Sequence, residues 1–327
     1  MRGKATDAGV VLAVAAAASF GISGPLLKPM MSAGWSPTAL VIARSAIAAA
    51  VLLVPALLAL RGRWASLWRG RRQVAALGLI GVAASQLAFA QSVRTLPVGT
   101  AILIQYSAPV LIVAHRWLAE QQRPAPATVA ACVVTMGGLV FVAAPGIEGV
   151  LDTAGVLWAL AAMITVALYY GAAASIAPAM PAIAAVVTGQ ILGAAALCIA
   201  GGIGLLDLSV SHATVALVGQ HVPWWLPISI VGIVATAAGF WASIASTRLL
   251  GSQTASFFGT LEVAVAVIAA WILLGERPTI VQLVGGMTIV VGIALLDRGR
   301  RARSPSDGWP CRANLKSNDY NAFRGCR

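Results

Sequence analysis

Ten runs of about 20 residues, each nearly free of charge, constrain this chain more than any other feature. They cover roughly residues 8–27, 38–60, 73–93, 98–118, 126–144, 154–172, 182–204, 226–246, 252–274 and 280–296. A helix of that length crosses a hydrocarbon core. Composition agrees: 59% of the residues are apolar and 10% charged, against roughly a quarter charged in a soluble domain. A soluble core could not hide so much apolar surface, so the sequence predicts an all-α integral membrane protein.

The net charge of +12 would suggest nucleic acid in a soluble protein. Here the basic residues sit in short connections and at the chain ends, with no basic face interleaved with aromatics as a nucleic-acid platform requires. They read as topology-setting charge beside anionic lipid, with the bilayer, not nucleic acid, as partner. Counting connections alternately, one side receives Arg2, Lys4, Arg61, Arg63, Arg69, Arg71, Arg72, Arg116, Arg123, Arg248, Arg298, Arg300, Arg301 and Arg303. The other receives only Lys28, Arg94 and Arg277, with Glu148, Asp152 and Asp207. That bias places both termini in the cytoplasm and requires an even number of spans. The Ala-rich composition and the lack of an organelle-type address point to a bacterial cytoplasmic (inner) membrane.

Arg2, Lys4 and the Ala-rich run behind them resemble a secretory signal peptide. An internal repeat argues against cleavage. Residues 9–16 (GVVLAVAA) match residues 155–162 (GVLWALAA), which makes the first run the counterpart of the sixth. Further on, Gly81, Phe89 and Ser92 align with Gly232, Phe240 and Ser243; Thr100-Ala101, Trp117, Arg123-Pro124 and Gly138 align with Thr254-Ala255, Trp271, Arg277-Pro278 and Gly292. The sequence therefore divides into an N-terminus (1–7), a five-helix unit (8–144), an outer connection (145–153), a second five-helix unit (154–296) and a basic tail (297–327) without predicted structure. An odd number of spans per unit inverts the second copy, the arrangement of many secondary transporters, whose substrate site lies at mid-membrane between the repeats. Ten spans suffice for a pathway in one chain, so a homo-oligomer is not required.

The run Gly251-Ser252-Gln253-Thr254-Ala255, then Leu261-Glu262-Val263, then residues 271–278 (WILLGERP), resembles the EamA-type family of the drug/metabolite transporter superfamily. Lys28, Arg44, Gly285-Gly286 and Gly292 add to the resemblance, which covers residues 8–296. It implies two inverted five-helix repeats and the export or uptake of metabolites or amino acids. Two departures stand out. The first unit reads Glu120-Gln121-Gln122-Arg123-Pro124 where the second has Gly275-Glu276-Arg277-Pro278, and Val263 occupies the position after the glutamate where the family usually carries proline, a proline the first unit keeps as Pro109.

Glu262 is the sharpest candidate for the site. It lies near mid-span, where a carboxylate costs several kcal/mol unless paired or protonated. At helical spacing it shares a face with Ala255, Gly259, Ala266 and Ala269, small residues that favour close helix packing, so it should face the bundle interior. Two readings follow, a substrate or proton site and a structural hydrogen bond between helices. Ala108 is its repeat counterpart. One turn earlier, Pro109 leaves the Gln105 carbonyl without its helical donor, and with Tyr106 this could form a neutral polar wall or a simple kink. Arg44 could snorkel outward or point inward toward an anionic group. Tyr169 and Tyr170 could contact a solute or join an aromatic belt at the interface. Trp241 lies deeper and completes the candidate set, while Gln86 and Gln190 suit helix–helix hydrogen bonds.

No pattern for a metal, cofactor or catalytic centre appears in the spans: they hold no aspartate pair, no His-Glu-x-x-His and no Gly-x-Ser-x-Gly. The four cysteines, Cys132, Cys198, Cys311 and Cys326, form no ligand pair. The chain thus reads as a secondary transporter of a small-molecule substrate and not an enzyme; the alternative is a non-transporting scaffold or sensor.

Overall fold

A computed structural model describes residues 2–96, 98–144 and 152–302. It contains ten helical segments long and apolar enough to cross a membrane: Thr6–Ser32, Pro37–Leu60, Arg71–Phe89, Thr100–Leu118, Pro126–Ala143, Thr153–Ser175, Ala182–Gly202, Trp225–Leu250, Ser252–Leu274 and Ile280–Gly299. They are called spans 1 to 10 below. The first is longer than the apolar run alone predicts, because a second helical piece, Ser23–Ser32, follows directly on Arg2–Gly21. The last helix continues to Ala302, past the predicted edge of the tail at 297. The connection at 145–151 and the tail from 303, with Cys311 and Cys326, lie outside the described residues.

Local chemistry sets several boundaries. Span 2 starts with Pro at its first turn, and the Ser36 hydroxyl accepts from the Ala39 N–H at 3.2 Å, a standard satisfaction of an orphan helix donor. Asp152 does the same for span 6, accepting from Gly155 N–H at 2.9 Å. Gly251 and Gly275, at φ +82° and +72°, turn the chain at the two ends of span 9, where a side chain would be strained.

The packing carries the repeat. Span 1 packs on span 8, and the image of that contact in the other unit, span 6 on span 3, is also present. Span 1 on span 9 is mirrored by span 6 on span 4. Span 2 meets its own counterpart, span 7, and span 5 meets span 10. These pairs are what two interlocked copies related by a pseudo-two-fold produce, and five spans per copy lay that axis in the membrane plane. The span 5–span 10 seam depends on glycine: a Cβ on Gly138 would stand 2.7 Å from the Gly285 carbonyl oxygen, and one on Gly285 2.7 Å from the Gly138 carbonyl oxygen. Such close backbone approach is how membrane helices gain packing energy.

Two features were not legible beforehand. Residues 77–84 and 231–238, in the repeat-equivalent spans 3 and 8, are π-helical. The 205–223 connection contains an antiparallel hairpin of β1 (Val215–Leu217) and β2 (Gln220–Val222). Val215 and Leu217 alternate inward and are buried with Leu26, Met30, Trp35 and Leu40, so the hairpin caps one end of the bundle. Its Val218 N–H bonds the Leu273 carbonyl at 2.9 Å, and Ser36 bonds the backbone of Asp207 and Ser209.

Candidate functional site

Spans 4 and 9 are both broken near their middles, at equivalent positions of the repeat. The first helical piece of span 4 ends at Gln105 and the second begins at Ala108; in span 9 the pieces end at Gly259 and begin at Leu261. The Pro109 argument accounts for the first break. No proline accounts for the second, and a shared device does. The Ser107 hydroxyl bonds the Leu103 carbonyl and the Thr260 hydroxyl bonds the Phe257 carbonyl, each at 2.7 Å. A hydroxyl that takes a ladder carbonyl competes with the helix, and both chains tighten to i→i+3 bonds there. Discontinuous helices in corresponding halves are where transporters place polar groups at membrane depth.

Glu262 opens the second piece of span 9, in its first turn, where the helix N-terminus favours a negative charge. The Tyr106 hydroxyl, from the break in span 4, lies beside its carboxyl. Arg44, Tyr169 and Tyr170 all lie within electrostatic reach of it. The backbone breaks of the two repeats thus meet side chain to side chain.

Arg44 does not snorkel. It is buried, and its Nε–H donates to the Thr236 hydroxyl at 2.8 Å. Thr236 in turn donates to the Val231 carbonyl five residues earlier, at 3.0 Å, within the π-helical turn of span 8. The guanidinium and the Glu262 carboxylate are not among the ion pairs of the described residues, so two opposite charges share one region without closing on each other. The Nη groups of Arg44 and the Glu262 carboxyl make no ion pair among the described residues, which leaves them for other partners. Partial uncovering of Glu262, Tyr106, Tyr170 and Gln105 is consistent with that.

An aromatic wall completes the cluster. The structure corrects the interfacial reading of Tyr169 and Tyr170: Tyr169 is buried, donates to the Ser243 hydroxyl at 2.9 Å, and stacks edge-on with Tyr170 and Phe240 at centroid distances of 5.3 and 5.8 Å. Phe20 of span 1 meets Phe240 at 5.1 Å. Two glycines admit these rings. A Cβ on Gly81 would fall 2.6 Å from Tyr169 Cδ2, and one on Gly259 would collide with the Tyr170 hydroxyl. Thr236, Ser243, Phe20 and Phe240 are absent from the sequence-derived set, although Phe240 and Ser243 are marked there as repeat positions.

The structure does not gather every candidate. Trp241 is 42% exposed, on the outward side of span 8 from Phe240, and lies apart from the cluster. Gln105 is beside it by sequence and partly buried, with its side chain in no protein hydrogen bond among the described residues. Gln190 is buried with its carbonyl oxygen unbonded, not in the helix–helix bond expected of it. Glu276, in the turn after span 9, reaches across to Lys28 at 2.5 Å. A shallow groove lined by Leu283, Val284, Met287, Thr288 and Val291 runs along span 10; it carries no ionisable group and plays no part in the cluster. No group of three or more His, Cys, Asp or Glu residues placed to hold a metal ion occurs among the described residues.

An all-helical bundle of ten spans, two repeats interlocked about a pseudo-two-fold, with polar groups at paired helix breaks, is the architecture of a drug/metabolite-type membrane transporter. The chain belongs to the EamA-like transporter family, whose model matches residues 7–144 and 153–297, one match per repeat. No curated protein matches the sequence. A solved structure described only as "Crystal structure of protein" is similar in fold, with a TM-score of 0.65 and 23% identity over 93% of this chain and 100% of that one.

Proposed function

We propose that the chain is a secondary transporter of the cytoplasmic membrane that carries a small polar metabolite by alternating access, with both termini in the cytoplasm. The meeting of Glu262, Tyr106, Arg44 and Tyr170 at the paired breaks of spans 4 and 9 is the observation that carries this reading. One separated cation and anion, tyrosine hydroxyls and an aromatic wall suit a solute that bears polar groups and little bulk, such as an amino acid or a small amine. Glu262 is the group assigned to exchange a proton against the solute, since no other carboxylate occupies a span near mid-membrane among the described residues.

The two ends of the bundle supply candidate gates. On the outer side, the hairpin and the Lys28–Glu276 pair tie span 1 and span 9 together. On the inner side, Arg116 joins Gln253 and Glu120, and Arg248 holds the carbonyls of Pro178 and Met180. Alternation requires these two sets to open in turn. A metabolite screen by thermal stabilisation of purified protein, followed by flux in reconstituted vesicles, tests the proposal. A stabilising solute that is also transported, with flux responding to an imposed pH gradient in wild type and not in Glu262→Gln, is the expected result. Equal gradient response in both proteins would remove Glu262 from the coupling role, and absence of flux for every stabilising solute would remove transport.

A further inference from the structure

Between spans 2 and 3 the chain makes an elbow that lies outside the Glu262 cluster. Residues 61–72 hold five arginines, Arg61, Arg63, Arg69, Arg71 and Arg72, with no acidic residue among them, and all five are exposed. None makes an ion pair among the described residues. A six-residue helix, Trp64–Arg69, lies within the elbow as a separate piece. Trp64 and Trp68, one turn apart on it, are 55% and 70% exposed.

Three contacts give this patch a fixed form. Ser66 is buried and donates to the Arg63 carbonyl at 2.6 Å, which turns the opposite, indole-bearing face outward. Gly70 packs against the Met180 side chain, and the carbonyl of Met180 is itself held by Arg248 at 2.9 Å, so the elbow is seated on the bundle. The Arg71 guanidinium lies 4.8 Å above the Trp68 ring while its Nη1 donates to the Trp68 carbonyl at 3.2 Å. Arg69 spends only Nε, on the Ala65 carbonyl. Both arginines therefore keep donors in hand from a held position.

From this we infer that the elbow is a binding site for the phosphodiester headgroup of an anionic phospholipid in the adjoining leaflet. A guanidinium fork meets two phosphate oxygens at once, which an ammonium does not. Exposed tryptophans rest at the headgroup level, with the ring in the acyl boundary and the N–H toward water. Basic residues beside a membrane surface draw anionic lipid in any case; what distinguishes a site is Arg71 held on Trp68, with Arg69 and Arg72 next to it in the chain. None of the residues assigned to this site belongs to the Glu262 cluster.

The test uses the full chain purified in neutral detergent, with phosphatidylglycerol or phosphatidylcholine added and retained lipid counted by native mass spectrometry. Wild type should hold phosphatidylglycerol at least about tenfold better than phosphatidylcholine and gain thermal stability from it, while inorganic phosphate at the same concentration gives neither effect. Replacing Arg69, Arg71 and Arg72 together by lysine keeps the charge that orients the chain and should lose most of the preference, as should Trp68→Ala. Equal retention of the two lipids would overturn the site. So would an unchanged preference in the lysine variant, which reduces the elbow to bulk charge, or a stabilisation that inorganic phosphate or RNA reproduces.

Discussion

Thr236→Val removes one oxygen atom and keeps the shape of the side chain, and two hydrogen bonds disappear with it. Arg44 Nε–H loses its 2.8 Å acceptor, and the Val231 carbonyl loses its 3.0 Å side-chain donor. Both sit where no water replaces them readily, since Thr236 is 0% and Arg44 5% exposed. A hydrogen bond to a charged group contributes about 1.5–3 kcal/mol, and an orphaned buried donor costs the upper part of that range. If Arg44 contacts the solute, the same energy appears as a roughly ten- to hundredfold rise in KM at about 1.4 kcal/mol per decade, because the guanidinium is free to leave its post. Flux against solute concentration in vesicles separates this from mere loss of stability: KM should rise while the melting temperature of the solute-free protein falls, and Thr236→Ser should restore both. A variant with wild-type KM and a lowered melting temperature would refute the positioning argument and leave Thr236 a packing residue.

Other predictions follow from the same geometry. Tyr106→Phe should weaken solute-dependent stabilisation about tenfold while expression stays normal, because only the hydroxyl beside Glu262 is lost. Gly259→Val should abolish flux, as the new side chain lands on the Tyr170 hydroxyl; uptake by the variant in vesicles is the check, with melting temperature as control. Gly138→Val should destabilise by about 1–3 kcal/mol, seen in thermal unfolding, since the span 5–span 10 seam has no room for a Cβ. Trp241→Ala should leave KM unchanged in the flux assay, in keeping with its outward exposure. Lys28→Ala should change stability by less than about 1 kcal/mol, both partners being more than half exposed, yet should alter flux if the pair is an outer latch.

Much of this molecule is legible in its sequence because lipid enforces a simple rule. Backbone groups must bond within a helix, so ten apolar runs yield ten helices, and GVVLAVAA against GVLWALAA exposes the repeat before any coordinates do. Glu262 is equally readable, since a carboxylate at mid-span has few reasons to be there. What escaped are features decided by neighbours. The break at Thr260 carries no proline; it rests on one hydroxyl bonding Phe257, a choice a helical threonine need not make. The π-helical turns lie where Ile47 packs on Gly232 and Tyr169 on Gly81, contacts between distant segments. Trp241 and Phe240 are adjacent in sequence, one exposed and the other buried, and hydropathy alone does not tell which turns inward. The hairpin at 215–222 forms because Val215 and Leu217 find buried partners on spans 1 and 2, not because the segment is strongly strand-like.

The central claim is that water and solute, not acyl chains, reach the carboxylate of Glu262 between the two repeats. Thiol labelling addresses it most directly: in a background with Cys132, Cys198, Cys311 and Cys326 replaced by serine, Glu262→Cys is treated in sealed vesicles with a charged, membrane-impermeant thiosulfonate. Reaction with the charged reagent, slowed by the solute that stabilises wild type, is the predicted outcome. Labelling only by a lipid-soluble maleimide, unaffected by any such solute, would mean that position 262 faces the bilayer and would contradict the account.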